Sequence, residues 1–190
     1  AGAISACTFT GGKPAETVSP APVESRVLSG EELKWFNEEF FNVSVPAAVS
    51  YTYNICNQFA NGSFNLYDRP EDIDLYELLY CEGTVLTEEE YTRVFGGEEM
   101  PCPAYKISPA EIDAILMEYT GITLAQSNQV GMENFTYKES DDAYYWMHGD
   151  TNYPGEIEIL CGTREGNIVR LYHSGGGYCV TLEEQGDGSY

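Results

Sequence analysis

The hydrophobic pattern of the chain changes its period past the middle of the sequence. Between Leu28 and Gly131, apolar residues recur every three or four positions, which is the spacing of one helix face. After Gly131 they alternate with polar residues, which is typical of half-buried strands. The pattern therefore predicts helices in the first part of the domain and strands in the last part.

Helix starts are marked by residues that cap helix ends. Ser29, Thr87 and Ser108 are each followed three positions later by glutamate, which is the arrangement of a capping box. Pro70 precedes two acidic residues, and this favours another helix start because proline and acidic side chains suit a first helical turn. Residues 51–60 fit either a helix or a strand, and we favour a helix.

Turn-forming residues such as Gly155, Gly166 and the run 175–177 divide the last part of the chain into short alternating segments. Short connections favour antiparallel neighbours, so each strand should pair with the one before it as a meander. The fold is therefore predicted to be α+β, with N-terminal helices packed on a C-terminal antiparallel meander sheet of about five strands. The expected strands cover 134–138, 143–148, 156–161, 167–172 and 178–183.

The first seven residues end in a motif for lipid attachment. Ile4, Ser5 and Ala6 precede Cys7, which fits the bacterial lipobox of an aliphatic residue, two small residues and cysteine. Acyl chains on Cys7 would hold the protein at a membrane, since each buried methylene contributes about 0.8 kcal/mol. The alternative is a chance match of four residues in a disordered N-terminus.

Composition separates a tether from a domain. The segment after Cys7 is rich in Gly, Pro, Ser, Thr and Ala, which cannot bury a core and favour an extended chain. We therefore assign residues 1–27 to a signal-peptide remnant, a lipobox and a flexible tether, and residues 28–190 to a single α+β domain. The chain stops after a turn and Tyr190, as at the start of another strand, so we expect the natural protein to continue further.

The chain carries 31 acidic and 9 basic residues, a net charge of −22. Lys13 and Arg26 offset Glu16 and Glu24 in the first part, so this charge belongs to residues 28–190. A field of this sign repels phosphate backbones and anionic lipid heads, which excludes nucleic-acid binding and polybasic membrane docking. Two interpretations remain open: solubility outside the cell, or attraction of cations and basic partners.

Residues with catalytic or metal-binding potential are few. The chain has 6 cysteines without a CxxC pair and 2 histidines, and it lacks the motifs of nucleotide-binding loops, nucleophile elbows and zinc peptidases. Glutamates 88–90 fall in a predicted first helical turn, where acidic side chains interact favourably with the helix dipole. The sequence therefore predicts no catalytic residues, no metal and no cofactor, and we expect no dense disulfide framework.

The predicted meander brings separated polar residues to one sheet edge. His148 follows one strand and His173 lies at the end of another, with one strand between them, so their backbones should lie about 10 Å apart. Imidazole and carboxylate groups at that edge could hold a cation or a polar ligand. In the alternative, Asp150 and Asn152 only bond their own backbone in a turn. The candidate ligand-binding residues are His148, Asp150, Asn152 and His173, flanked by Tyr145 and Trp146.

Several stretches of the domain are distinctive. They are Leu28-Ser29-Gly30-Glu31-Glu32-Leu33 with Trp35-Phe36-Asn37, Pro70-Glu71-Asp72-Ile73-Asp74-Leu75, His148-Gly149-Asp150-Thr151-Asn152-Tyr153, and Gly162-Thr163-Arg164-Glu165-Gly166. In these stretches the chain resembles lipoproteins of unassigned function from anaerobic Gram-positive gut bacteria, and the resemblance covers most of residues 28–190. The resemblance implies an exported protein whose lipid anchor holds it at the outer face of the bacterial cytoplasmic membrane, and it brings no catalytic residues.

Three functions are compatible with these features. We favour a non-enzymatic binding or interaction module on the cell surface, because no catalytic set is present and the predicted sheet is rich in tyrosine. A structural envelope lipoprotein without a small ligand is the second. A hydrolase that uses His148 with a nearby carboxylate, Asp150 or Glu156, is the third. The expected partners are the membrane lipid and a polar or cationic ligand or a protein.

Overall fold

The structure of the protein, a computed structural model, describes residues 24–46, 51–61, 65–97, 99–149, 155–174 and 177–190. Within these ranges the fold is α+β, as the sequence predicts. The predicted single meander sheet is wrong, because the described strands form two four-stranded antiparallel sheets and a two-stranded pair.

Capping residues set the ends of the helices in the described part of the chain. The side chains of Ser29, Thr87 and Ser108 accept hydrogen bonds from the backbone three residues on, and the glutamates there reach back, so the three predicted capping boxes are confirmed. The last of these helices ends at Gly121, which adopts the left-handed conformation. The helices are α1 (Gly30–Trp35), α2 (Ile55–Ala60), α3 (Leu75–Leu79), α4 (Glu88–Phe95) and α5 (Pro109–Thr120).

The other described elements are ten strands, three single-turn 3₁₀ helices and one π-helical turn over Phe36–Phe41. The 3₁₀ turns are Pro70–Asp72, Leu124–Gln126 and Met132–Asn134. The strands are β1 (Ser25–Val27), β2 (Ser44–Pro46), β3 (Tyr51–Tyr53), β4 (Thr84–Val85), β5 (Ala104–Ile107), β6 (Thr136–Lys138), β7 (Ala143–Met147), β8 (Ile159–Glu165), β9 (Ile168–His173) and β10 (Cys179–Glu183).

Sheet I has the strand order β4-β5-β7-β6. Two of its strands, β4 and β5, come from the part of the chain that the sequence pattern predicts to be helical. They have 2 and 4 residues, which is too short for an alternation of polar and apolar positions to be visible. Strand β5 pairs with β7, and β4 pairs with the other edge of β5. The neighbours of β7 are therefore β5 and β6 rather than β8, and this is why the predicted meander fails.

Sheet II has the strand order β1-β8-β9-β10, so its last three strands form part of the predicted meander. The outer strand β1 lies within the range assigned to the tether, and it pairs with β8 so that Val27 stands opposite Thr163. The range 51–60, for which a helix was favoured, contains both a strand and a helix. Its first three residues are β3, which pairs with β2, and α2 follows.

A π-helical turn over Phe36–Phe41 continues α1 and attaches it to sheet II. The side chain of Asn37 accepts the Ile159 N–H at 2.7 Å, and the side chain of Asn42 accepts the Ile157 N–H at 2.9 Å. In an α-helix, residues five apart point about 140° away from each other. The wider π-helical turn brings Asn37 and Asn42 closer to one face. There they bond to Ile159 and Ile157, two residues apart where the chain enters β8.

Hydrophobic residues form separate clusters on the two sheets. One cluster packs α3 and α5 against sheet I, with Leu79 and Leu116 completely buried. A second packs the π-helical turn and α2 against sheet II, with Phe41 and Val169 completely buried. No helix in the described ranges combines the length and the apolar character needed to cross a bilayer.

Candidate functional site

An open cleft of about 740 Å³ lies between sheet II and the end of α5. Strand β10 lines one side, and residues 117–121 at the end of α5 line another. Phe40 of the π-helical turn and Phe59 of α2 also contribute to the wall of this space, which is termed the β10 cleft. Sites for small ligands commonly have volumes of about 300–1,000 Å³, so the cleft has the size of a ligand site.

Aromatic side chains form much of the cleft wall. The Tyr67 hydroxyl donates a hydrogen bond to the carbonyl oxygen of Phe59 at 2.9 Å, and the ring centroids of Tyr119 and Phe59 lie 5.3 Å apart. Burial raises the pKa of Tyr67 to about 12, and burial is also the main reason why the pKa of Tyr119 rises to about 12. Both phenols therefore stay neutral, and they contribute aromatic rings to the wall of the cleft.

Tyr190 closes another part of the wall. Its ring packs edge-on against Phe36 and Phe40, with centroid distances of 5.5 and 5.6 Å. The Arg164 guanidinium donates to the Tyr190 hydroxyl at 2.9 Å and also pairs with Glu184. The Arg164 guanidinium that bonds to this ring is therefore already paired with a carboxylate, and it adds little free positive charge near the cleft.

The charged groups in the described wall of the β10 cleft are acidic. They are Asp68, Glu118 and Glu183, and no lysine, arginine or histidine is among the described lining residues. Burial, with a contribution from Glu118, raises the pKa of the Cys56 thiol to about 11. The thiolate is the nucleophilic form of cysteine, so Cys56 is not suited to nucleophilic chemistry. This wall favours neutral or positively charged ligands.

His148, the centre of the predicted site, is packed in the interior. Its ring lies between those of Tyr80 and Tyr105, with centroid distances of 4.0 and 4.3 Å, and only 7% of the residue is exposed. Burial lowers the pKa of this imidazole, and a hydrogen bond with the Tyr80 backbone partly opposes the shift. The imidazole is therefore a neutral stacking group beside sheet I and does not face solvent.

The predicted common edge for the two histidines is not formed. His148 follows β7 in sheet I, whereas His173 is the last residue of β9 in sheet II. The prediction is wrong because β7 pairs with β5 and β6 rather than with β8, so that β7 and β9 belong to different sheets. Asp150 and Asn152 lie outside the described residues. Glu156, the alternative carboxylate for a hydrolase, is exposed.

The predicted aromatic flank, Tyr145 and Trp146, belongs to two different hydrophobic clusters. Consecutive residues of a strand point to opposite faces, and these two are 1% and 2% exposed. The Tyr145 hydroxyl donates to Asp141 at 2.6 Å, and the Trp146 indole N–H donates to the carbonyl oxygen of Tyr80 at 3.4 Å. Both side chains are core residues with satisfied polar atoms, and they do not form the walls of one site.

We expect His148 to make the fold sensitive to mild acid. Its pKa in the folded protein lies below the ordinary value of 6.5, so at lower pH the unfolded chain binds a proton that the folded chain excludes. The stability that depends on neutral His148 is complete above this value and is lost on acidification. Urea unfolding at about pH 7.5 and about pH 5.5 should therefore show a smaller acid-induced loss in His148→Gln than in the wild type.

The matched control for this measurement is His173→Gln, which retains the stacked imidazole and should keep the acid-induced loss of the wild type. For each variant, the free energy of unfolding at the lower pH is subtracted from that at the higher pH. A change in stability that is the same at both pH values therefore cancels. An equal acid-induced loss in His148→Gln and the wild type would contradict the expectation.

Cysteines and possible metal ligands are dispersed over the described ranges. No group of three or more His, Cys, Asp or Glu side chains there could hold a metal ion. No disulfide joins the cysteines that the structure describes. Cys161 and Cys179 stand opposite the same residue, Tyr172, on the two sides of β9. Cys7, the predicted lipidation site, lies outside the described residues.

The residues of the β10 cleft are ones that sequence reasoning assigned to other roles. Phe40 and Tyr119 occupy apolar helix positions, which the sequence pattern treats as core. The high tyrosine content was the one signal of a binding surface, but it does not say where the rings meet. Comparison of the chain with protein-family models, curated proteins and solved structures gave no match.

Proposed function

We propose that the protein is a non-enzymatic binding module of a bacterial cell surface, held at the outer face of the cytoplasmic membrane by a lipid on Cys7. The observation that carries this proposal is the β10 cleft, which has a volume of about 740 Å³, an aromatic wall and an acidic border. The lipobox at residues 4–7 and the Gly- and Pro-rich segment behind it support the anchored location.

The chemistry of the described wall favours binding over catalysis. A general acid or base works best when its pKa lies near the working pH. The pKa values of Cys56, Tyr67 and Tyr119 are about 11, 12 and 12, so each of these groups keeps its proton. Ring faces and hydroxyl groups of this kind recognise the shape and polarity of a ligand without reacting with it.

The two other functions are less well supported. A structural protein without a ligand has no need of an open cleft of this size with aromatic walls, since exposed apolar surface of that kind commonly marks a binding site. A hydrolase built on His148 would need its imidazole at the surface of a pocket, whereas the ring is stacked between Tyr80 and Tyr105.

A ligand of the β10 cleft should raise the melting temperature of the protein, because binding to the folded state stabilises it by mass action. A thermal-shift screen of the 190-residue chain against sugars, peptides and metal ions would identify such a ligand. Met117→Arg should abolish this increase in melting temperature. Met117 lines the cleft and is 49% exposed, so the longer arginine side chain should block the cleft without disturbing the core.

Leu160→Arg is the matched control for Met117→Arg. Leu160 is 58% exposed and is not part of the described cleft wall, so this variant should retain the full thermal shift. A shift that persists in Met117→Arg, or the absence of any stabilising ligand, would contradict the proposal.

The anchored location has its own test. Cys7→Ala in the precursor should move the protein from the membrane fraction to the soluble fraction, because no acyl chain can then be attached. Immunoblots of the two fractions measure the distribution, and Cys56→Ala is a control that leaves the lipobox intact. Membrane retention of Cys7→Ala at the level of the control would refute the lipid anchor.

A further inference from the structure

We propose that the occupant of the β10 cleft is an extended peptide segment with basic residues, which pairs with β10 and adds a strand to sheet II. This inference rests on the proposed binding function, and it specifies the ligand and its mode of binding. Three features of the structure support it: the position of the cleft along the strand edge, the direction of the backbone groups of β10, and the charge of the wall.

The cleft runs along the edge of β10 rather than over one of its faces. Successive side chains of a strand point to opposite faces of the sheet. All six consecutive residues 178–183 line the cleft, so residues that belong to both faces of the strand border it. A space that reaches both faces of one strand lies beside its edge, where an added strand would lie.

The backbone groups at this edge are directed toward the cleft. The His173 N–H donates to the carbonyl oxygen of Tyr178, and the Glu184 N–H donates to that of Asn167, so residues 178 and 184 bond toward β9. Bonding in an antiparallel pair alternates, so the backbone groups of Cys179, Thr181 and Glu183 point away from β9. In the described part of the chain β10 is the last strand of sheet II, and no strand pairs with this edge.

The side chains of β10 define the pattern of a complementary peptide. Val180 and Leu182 are half-buried against the cluster of sheet II, whereas Cys179, Thr181 and Glu183 are exposed on the other face. A peptide that extends the sheet would meet the same two environments in alternation. Apolar residues suit the inner face, and alternate positions suit polar residues.

The charge of the cleft wall indicates which polar residues the peptide should carry. Every charged residue in the described cleft wall is a carboxylate, and the chain as a whole has a net charge of −22. Such a surface attracts basic segments and repels acidic ones. The same charge disfavours edge-to-edge pairing of two copies of this chain, since each copy carries a net charge of −22 and the two would repel each other. The occupant is therefore a basic, alternating peptide from another protein.

The probe for this proposal is the peptide acetyl-Lys-Val-Lys-Val-Lys-Val-amide, with binding to the 190-residue chain measured by calorimetry. Two derivatives carry N-methyl groups either on all lysines or on all valines, so that each blocks one edge of the peptide strand. Strand addition predicts that one derivative binds at least about tenfold more weakly than the parent peptide, while the other binds within about threefold of it. Equal binding of both derivatives, or no binding of the parent peptide, would overturn the proposal.

The protein side of the pairing is tested with Thr181→Pro and Thr181→Val. Proline removes the N–H that faces the cleft and leaves the bonds to β9, so it is tolerated at such an edge position, whereas valine keeps the N–H. Thr181→Pro should weaken the parent peptide at least about tenfold and Thr181→Val by less than about threefold. Melting curves of both variants show whether they fold. The N-methylated peptides test the same backbone pairing with the unmodified protein.

Failure of this inference can be distinguished from failure of the proposed function. If Met117→Arg abolishes binding of the peptide while Thr181→Pro leaves it unchanged, the cleft binds ligands but not by strand addition, and only the inference falls. The same holds if the screen yields a cleft ligand and the peptide does not bind. If Glu replaces Lys in the peptide and the affinity is unchanged, the requirement for basic residues is refuted.

Discussion

Replacing Asn42 by alanine is expected to lower the free energy of unfolding by roughly 3 kcal/mol. The side chain of Asn42 bonds to both backbone groups of Ile157, as a neighbouring strand would. It accepts the Ile157 N–H at 2.9 Å and donates to the Ile157 carbonyl oxygen at 2.7 Å. Ile157 is 1% exposed, so water has little access to these groups. Loss of the partner of a buried backbone group costs about 1–3 kcal/mol, and here two such groups lose theirs.

The matched control is Asn128→Ala. Asn128 donates a side-chain hydrogen bond to Asp72 at 2.7 Å in an exposed setting, so its removal should cost less than about 1 kcal/mol. Urea denaturation followed by circular dichroism gives both free energies of unfolding. A cost below about 1 kcal/mol for Asn42→Ala would show that other groups can satisfy the Ile157 backbone, and the expectation would then be wrong.

Gly131→Ala is expected to destabilise the protein by a comparable amount, roughly 3 kcal/mol. Gly131 has a φ of +82°, and an added Cβ would overlap with Asp74 Oδ1 and lie 2.9 Å from the backbone nitrogen of Tyr76. Asp74 caps α3 by accepting the backbone N–H groups of Tyr76 and Glu77 at 3.0 and 3.2 Å. The left-handed conformation and the lost cap cost about 1 kcal/mol each, and displacement of the tightly packed backbone adds the rest.

The chain contains a matched control in Gly121. This glycine also has a positive φ, +72°, but an added Cβ there would meet no atom within 4 Å. Gly121→Ala should therefore cost only about 1 kcal/mol, the cost of the left-handed conformation. Thermal or urea unfolding of both variants separates the two contributions. Equal losses in Gly131→Ala and Gly121→Ala would mean that Asp74 moves aside without consequence for α3.

The Asn42 experiment also concerns the candidate site. Phe40 and Phe41 line the β10 cleft, and they lie in the π-helical turn that Asn42 attaches to the chain 115 residues further on. Both aromatic residues are far from β10 in the sequence, so no local contact places them beside it. The wall of the cleft therefore depends on hydrogen bonds between segments that are far apart in the sequence.

The candidate site could be predicted from the sequence only in its chemical character. The acidic charge and the abundance of tyrosine indicated a surface for polar or cationic partners, and the described cleft wall has aromatic rings and carboxylates. The residues chosen for the site were those at the ends of predicted strands. His148 is instead stacked between two tyrosines, because the pairing of β5 with β7 places Tyr105 beside it.

The features that depend on neighbouring residues could be predicted from the sequence. The capping boxes at Ser29, Thr87 and Ser108 and the left-handed stop at Gly121 form between groups a few residues apart, so their residue types are enough to predict them. The hairpin strands of sheet II were also predictable, because β8, β9 and β10 follow one another with short connections and pair with their sequence neighbours.

The contacts between segments far apart in the sequence could not be predicted from the local pattern. The pairing of β5 with β7, the attachment of the π-helical turn at Ile157 and Ile159, and the cleft between β10 and α5 each join parts of the chain that no local pattern relates. Many residues have the same polarity and β propensity, so several pairings satisfy the pattern equally well. The choice among them depends on packing and backbone hydrogen bonding in the whole fold.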